Sequence, residues 1–161
     1  MTTIPVQPTN LDETAAGLFA QGLNGQPHDL LGQHVGPAGL TITAYRPMAR
    51  TVAAKLDTGE RFELFHAREG LWSATVPGVT QTHDYRLYVS YDDGVEHEQD
   101  DPYRFAPTLG DVDRHLINEG RHELLWTVLG SHIREYPGPL GTVRGASFAV
   151  WAPNARAVHV I

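Results

Sequence analysis

Nine histidines are the first residues to test for chemistry, because imidazole is the commonest metal ligand in proteins. His28 and His34 are six residues apart, and neither His-x-x-x-His nor His-Glu-x-x-His occurs. His34 and His132 each end a Leu-Gly-x-His sequence, so they hold the same place in two related segments. This repetition favours a structural role at a turn, and the sequence predicts no metal site.

Asp100 and Asp101 form the most conspicuous carboxylate pair. A glycosidase needs two carboxyl groups facing each other, about 5–5.5 Å apart for retention or about 6.5–9.5 Å for inversion. Neighbours on an extended chain point to opposite sides, so we interpret this pair as a solvated strand end. Asp111 and Asp113 do not begin a calcium loop, because His115 holds the fifth position and no Gly follows it.

Ser147 lies in Gly-Ala-Ser-Phe-Ala, which resembles a nucleophile elbow without its final Gly. An elbow needs a strand, a sharp turn and then a helix, whereas here the strand pattern continues through the serine. We interpret Ser147 as an ordinary strand residue. No glycine-rich phosphate loop is present either, so the sequence predicts no catalytic residue and no cofactor.

Three tryptophans remain as possible platforms for sugar rings. Large aromatic side chains usually fill the cores of β-sandwiches, and apolar neighbours flank Trp72 and Trp126. Both are therefore predicted to be core residues. For Trp151, whose equivalent in the related first segment is Tyr45, a core position is not predicted, and it is the candidate carbohydrate-binding residue.

The composition is that of an ordinary globular protein, with 41% hydrophobic and 19% charged residues among 161. The net charge is −7 and the twelve Lys and Arg are scattered, which argues against nucleic acid and acidic membranes as partners. The chain has no cysteine. Its first residues lack the basic and apolar regions of a signal peptide, so we expect a cytoplasmic protein.

The elements that must position these residues are mostly short strands. A helix is predicted over 10–22, with Asn10 and Glu13 as a capping box. Alternating apolar residues and turn signals then favour an antiparallel, immunoglobulin-like β-sandwich with short N-terminal and linker helices. The first of its six predicted strands begins at Leu40. The other five cover 52–56, 61–66, 71–76, 84–91 and 95–98.

The second half of the chain restarts the first. Leu-Gly-Gln-His at 31–34 returns as Leu-Gly-Ser-His at 129–132, and the Tyr45-Arg-Pro-Met-Ala-Arg pattern returns from Trp151. A short helix is predicted over 122–129 and strand structure over 145–161. Because two strands cannot bury a sandwich core, we expect the second copy to be truncated; the alternative is a tail packed on the first domain. The predicted divisions are a helical lead-in (1–26), a β-sandwich domain (27–108), a helical connector (109–138) and a truncated second sandwich (139–161).

Five segments in order resemble bacterial glycogen branching enzymes of glycoside hydrolase family 13: Asp-Pro-Tyr-Arg-Phe from 101, Leu-Gly-Asp-Val-Asp from 109, Glu-Gly-Arg-His from 119, Leu-Gly-Ser-His from 129 and Phe-Ala-Val-Trp-Ala-Pro-Asn-Ala from 148. Ile117 departs from the pattern, which has an aromatic there. The resemblance implies an extra N-terminal β-sandwich followed by the start of a carbohydrate-binding family 48 domain. It also implies that the catalytic (β/α)₈ barrel lies downstream.

By the same resemblance, the parent enzyme transfers α-1,4-glucan chains to form α-1,6 branches in glycogen biosynthesis. This chain alone is then inactive, and it positions α-glucan (glycogen, amylose) or supports the missing catalytic domain. Two alternatives stay open. The chain is the N-terminal module of a debranching or trehalose-forming enzyme, or it is a structural docking domain without a ligand.

Overall fold

The computed structural model describes residues 4–161, which divide into two compact units at Ala106/Pro107. In the first unit, helix α1 (Glu13–Ala20) and a 3-10 turn (Pro27–Asp29) precede seven antiparallel strands. The strands are β1 (Gly32–Gly36), β2 (Gly39–Tyr45), β3 (Thr51–Leu56), β4 (Arg61–Arg68), β5 (Leu71–Val76), β6 (Tyr85–Ser90) and β7 (Glu96–Gln99). A second 3-10 turn (Pro102–Arg104) follows them. The fold class is therefore mainly β, as predicted.

The strand order β1-β2-β5-β4-β3-β6-β7 folds into a sandwich because β4 belongs to both halves. Its first residues pair with β3 and its last residues pair with β5, with an irregularity between His66 and Arg68. One core cluster joins side chains from β2 and β5 to side chains from β3, β4 and β6. Tyr85, Leu87 and Val89 are fully buried in it, as the strict alternation of that strand predicts.

The second unit, Pro107–Ile161, is a small helix and hairpin module. It contains α2 (Asp111–Asn118), a 3-10 turn (Leu125–Thr127), β8 (Gly130–Tyr136) and β9 (Val143–Ala149). Within residues 4–161, these two strands pair only with each other. All residues from 107 to 161 are described, and none of them is fully buried.

Several local predictions about helices and the last strands were wrong. Asp12, not Asn10, caps α1, since its carboxylate accepts a hydrogen bond from the Ala15 amide at 2.9 Å. The predicted helix over 122–129 is a single 3-10 turn, and residues 150–161 contain no strand. β1 and β8 were not predicted, and α2 lies within the predicted helical connector, upstream of the helix predicted over 122–129. The helices within residues 4–161 lack the length and the apolar composition of a membrane-spanning helix.

The two units repeat the same helix–turn–hairpin module. Corresponding elements of the two units begin 98 residues apart. This spacing separates the first residues of α1 and α2, the first residues of the two 3-10 turns (Pro27 and Leu125) and the first residues of the two hairpins (Gly32 and Gly130). The pairing within the hairpins is also the same. Gly32 pairs with Thr43, two residues before Tyr45, and Gly130 pairs with Ala149, two residues before Trp151. The repeat that the sequence shows from Leu31 thus extends upstream to the helix.

Hydrogen bonds repeat as well as elements. His34 Nε2 lies 3.2 Å from the Leu31 carbonyl oxygen, and His132 Nε2 lies 3.0 Å from the Leu129 carbonyl oxygen. The structural role predicted for these two histidines is confirmed. Each helix also ends at a glycine with positive φ, 70° at Gly22 and 68° at Gly120.

The loop between β2 and β3 holds Met48 in the left-handed region, with φ 62° and the side chain exposed. This conformation costs an ordinary L-residue about 1–2 kcal/mol, and Asn tolerates it better. We expect Met48→Asn to raise the free energy of unfolding by about 1 kcal/mol in urea denaturation. Met48→Leu, which keeps the same backbone cost, is the control and should be neutral. Equal effects of both substitutions would contradict the argument.

Candidate carbohydrate-binding site

Trp151 follows β9 and borders a cavity of about 190 Å³ in the second unit. Its side chain is 58% exposed. The floor of the cavity is formed by apolar side chains from α2 and from the 3-10 turn region: Ile117, Leu125 and Leu129. An exposed indole beside an apolar floor can cover the C–H face of a sugar ring.

His122 forms one wall of this cavity and is held in place by α2. Its Nδ1 accepts the Leu124 amide at 3.2 Å, so its Nε2 carries the proton that is donated to Asp113 Oδ1 at 3.0 Å. The hydrogen bond from His122, and a second from the Gly110 amide, lower the pKa of Asp113. Both ring nitrogens of His122 therefore form hydrogen bonds within the protein, and the ring presents its carbon atoms to the cavity.

The repeat explains why the cavity exists. In the first unit the counterparts of Ile117 and Trp151 are Phe19 and Tyr45, whose rings meet edge to face at 5.0 Å. Ile117 has no ring to reach across to Trp151. The space that Phe19 fills in the first unit therefore remains open in the second.

The other two tryptophans differ in environment. Trp72 is 8% exposed, packs against His66 at 5.0 Å and donates its indole N–H to the Arg46 carbonyl at 3.2 Å, so its predicted core position is confirmed. Trp126 is 73% exposed, so its predicted core position was wrong. The reason is local: Trp126 is the middle residue of a single 3-10 turn, and its apolar neighbours Leu124 and Leu125 are exposed as well.

The carboxylate pair is structural, although not as predicted. Asp101 is fully buried, accepts the Tyr85 hydroxyl at 2.6 Å and lies 3.8 Å from the Arg46 guanidinium. The expectation of a solvated strand end was therefore wrong for Asp101. Burial, and then the charge of Asp101, raise the pKa of Tyr85 far above its usual range. Asp100 instead pairs with Arg104 at 2.8 Å, so the two carboxylates serve different partners.

Ser147 is an ordinary strand residue, as predicted. It lies within β9 opposite His132, and its hydroxyl accepts a hydrogen bond from Arg134 Nε at 3.0 Å. His28 contacts the Phe105 carbonyl at 3.2 Å. Within residues 4–161, no cluster of three or more His, Asp and Glu side chains could hold a metal ion.

A further aromatic residue lies on the outer face of the sandwich, where the sequence has no local motif. The Tyr88 hydroxyl donates to Glu98 at 2.9 Å, and the Arg61 guanidinium lies over the ring, 4.7 Å from its centre. Arg61 is held there by a bidentate pair with Glu96, which lowers the pKa of that carboxyl. Since the guanidinium covers the ring, this face is closed to a stacking sugar.

Comparison with known families gives one match that covers more than half of the chain. Residues 12–103 match the family described as alpha-1,4-glucan branching enzyme GlgB, N-terminal domain. The chain belongs to this family. The match to the GlgB N-terminal domain begins at the cap of α1 and ends at Tyr103, so it falls within the first unit.

Curated relatives extend the similarity into the second unit. The 1,4-alpha-glucan branching enzyme GlgB of Thermobifida fusca is 54% identical over 140 residues, which cover 87% of this chain and 19% of that protein. The enzyme of the same name from Rhodococcus jostii is 47% identical and covers all of this chain and 22% of its own length. The chain therefore spans about a fifth of these relatives. The catalytic module of the pneumococcal factor SpuA overlaps 45% of the chain and 12% of its own, with 20% identity and a TM-score of 0.39.

Proposed function

We propose that this chain is the non-catalytic N-terminal part of a glycogen branching enzyme. The parent enzyme would transfer α-1,4-glucan chains to form α-1,6 branches in glycogen biosynthesis in the cytoplasm. The observation that supports this most strongly is the match of residues 12–103 to the N-terminal domain of GlgB. The partners would be α-glucan and the catalytic domain of the same protein.

The chemistry of chain transfer supports a non-catalytic role for this part. A retaining transfer uses one carboxylate as nucleophile and a second as acid and base, about 5–5.5 Å apart. Asp101 is buried against Tyr85 and Arg46, and Asp113 is bonded to His122, so neither is free to act. The catalytic pair would belong to the barrel of the parent enzyme.

The second unit would be the start of a carbohydrate-binding family 48 sandwich. In the first unit, the inward side chains of β2, Ile42 and Ala44, are fully buried by the facing half of the sandwich. Their counterparts Phe148 and Val150 are 56% and 63% exposed. A facing sheet would bury both residues, and we propose that the parent enzyme supplies it. The domain boundaries 27–108, 109–138 and 139–161 remain predictions.

Trp151 would be the glucan contact of this second sandwich. Its exposed indole and the apolar floor of the neighbouring cavity suit the less polar face of a glucose unit. The first unit would act by packing on the catalytic domain or by orienting long glucans.

The 161-residue chain should show no branching or hydrolytic activity on amylose. Incubation would be followed by the iodine spectrum and by reducing ends, against a boiled sample of the same protein. Branching would shift the iodine absorption, and hydrolysis would release reducing ends. Either change above the boiled control would contradict the non-catalytic assignment.

A further inference from the structure

A short segment of the first unit crosses its helix–turn–hairpin module. We call this segment, Asp101–Phe105, the strap. The Tyr103 ring meets His28 at 5.0 Å, and the Phe105 carbonyl lies 3.2 Å from His28 Nε2. Tyr103 also packs on the apolar cluster beneath α1. The strap therefore covers the 3-10 turn and the first residue of the hairpin.

Gly32 allows this close approach. Its φ is +87°, and a Cβ atom built on it would lie inside contact distance of the Tyr103 carbonyl oxygen. The strap is also anchored at both ends, since Asp101 accepts the Tyr85 hydroxyl and Arg104 donates to the Tyr85 carbonyl at 2.8 Å. The strap therefore binds in a site that the helix–turn–hairpin module forms, with Gly32 and His28 as its contacts.

The same surface of the second unit is bare. The counterpart of His28 is Trp126, which is 73% exposed, and the counterpart of Gly32 is Gly130, with φ +97° and open space where a Cβ would stand. Leu125, which lines the cavity, is also exposed. No other residue of the second unit covers this surface, although the turn and the positive-φ glycine that accommodate the strap in the first unit are repeated.

We propose that the surface formed by Trp126, Gly130 and the adjoining cavity is the docking site for a second strap, an extended Pro-aromatic segment supplied by the rest of the parent protein. To that extent the proposal rests on the proposed function. The Trp126 indole would receive the aromatic ring as His28 receives Tyr103. The missing Cβ of Gly130 would let the strap backbone approach. The occupant would share the extended backbone and the aromatic ring of the Asp101–Phe105 strap; the acidic residue is left out because the counterpart of its partner Arg46 is Ala152.

A synthetic peptide of residues 99–107, with blocked ends, tests the proposal without any enzyme activity. It is titrated to several millimolar into the isotopically labelled 161-residue chain, and amide and indole resonances are followed by NMR. Saturable shifts should be centred on Trp126 and Gly130. Trp126→Ala should weaken binding at least tenfold, as should a peptide with Ser in place of its Tyr. Trp126 is exposed, so its replacement should leave the fold intact.

Val112→Ala is the matched control, since Val112 is also an exposed apolar residue of the second unit. It should bind the peptide like the unchanged chain. Absence of saturable shifts, or equal binding by Trp126→Ala, would overturn the proposal. Shifts of Trp126 with maltoheptaose but not with the peptide would also overturn it, and would assign the surface to glucan while leaving the branching assignment standing.

Discussion

Asp101→Ala should lower the free energy of unfolding of the first unit by about 3–5 kcal/mol, the range for breaking a buried charge pair from one side. The carboxylate is fully buried, and its removal leaves the Tyr85 hydroxyl without its acceptor and the Arg46 guanidinium without its buried counter-ion. It also removes the cap of the 3-10 turn at 102–104, since Asp101 accepts the Tyr103 amide at 3.3 Å. Urea denaturation followed by Trp72 fluorescence measures the change.

Asp92→Ala is the matched control for this experiment. Asp92 forms an ion pair with Arg50 at 2.6 Å, but both side chains are more than 70% exposed, so the loss should stay below about 1 kcal/mol. Tyr85→Phe separates the hydrogen bond from the charge pair and should cost about 1–3 kcal/mol. A loss for Asp101→Ala no larger than that for Asp92→Ala would mean that the buried network does not stabilise the sandwich.

The strands of the sandwich were predictable because their side chains alternate. Arg86, Tyr88 and Ser90 alternate with buried neighbours in β6, and the strand was found with nearly its observed bounds. β1 was missed because it contains a single apolar side chain, that of Val35. Its pairing is determined by β2, a non-local contact that a local pattern does not contain.

The site was harder to predict than the sheet. Apolar neighbours in the sequence indicated burial for Trp126, but burial depends on which element covers a residue, and no element of the second unit covers this one. The prediction for Asp101 was wrong in the opposite direction, because a residue predicted to be solvated is buried. Its partners Tyr85 and Arg46 are 16 and 55 positions away in sequence, so no local pattern shows them. The cavity beside Trp151 is lined by Ile117, Leu125 and Leu129, and a gap of this kind depends on contacts between residues that are distant in sequence.

The upstream half of the repeat was invisible in sequence for a related reason. In the helices, Leu18 and Gly22 match Leu116 and Gly120, and few other positions are identical. The backbone nevertheless repeats closely, since the Leu23 amide donates to Leu18 at 2.8 Å and the Arg121 amide donates to Leu116 at 2.9 Å. Backbone hydrogen bonds survive many side-chain exchanges, so the repeat is clearer in the structure.

Removing residues 1–106 from the full-length parent enzyme should leave branching measurable and change the lengths of the transferred chains. The first unit forms a seven-stranded sandwich, and we expect it to contribute by positioning the glucan. A domain outside the barrel can set how far a bound glucan extends before it reaches the nucleophile. Positioning of this kind alters rate and product without supplying a catalytic group.

The product of the deleted enzyme would be debranched and its chains separated by length, beside the products of the intact enzyme and of its Asp92→Ala variant. The exposed substitution should reproduce the intact profile, whereas the deletion should shift the most abundant chain length. An unchanged profile after deletion would reject the positioning role and leave a structural module. Loss of all activity in a deletion variant that remains folded would mean that the first unit helps to build the active site. Removal of a unit that only controls chain length would leave the catalytic centre working.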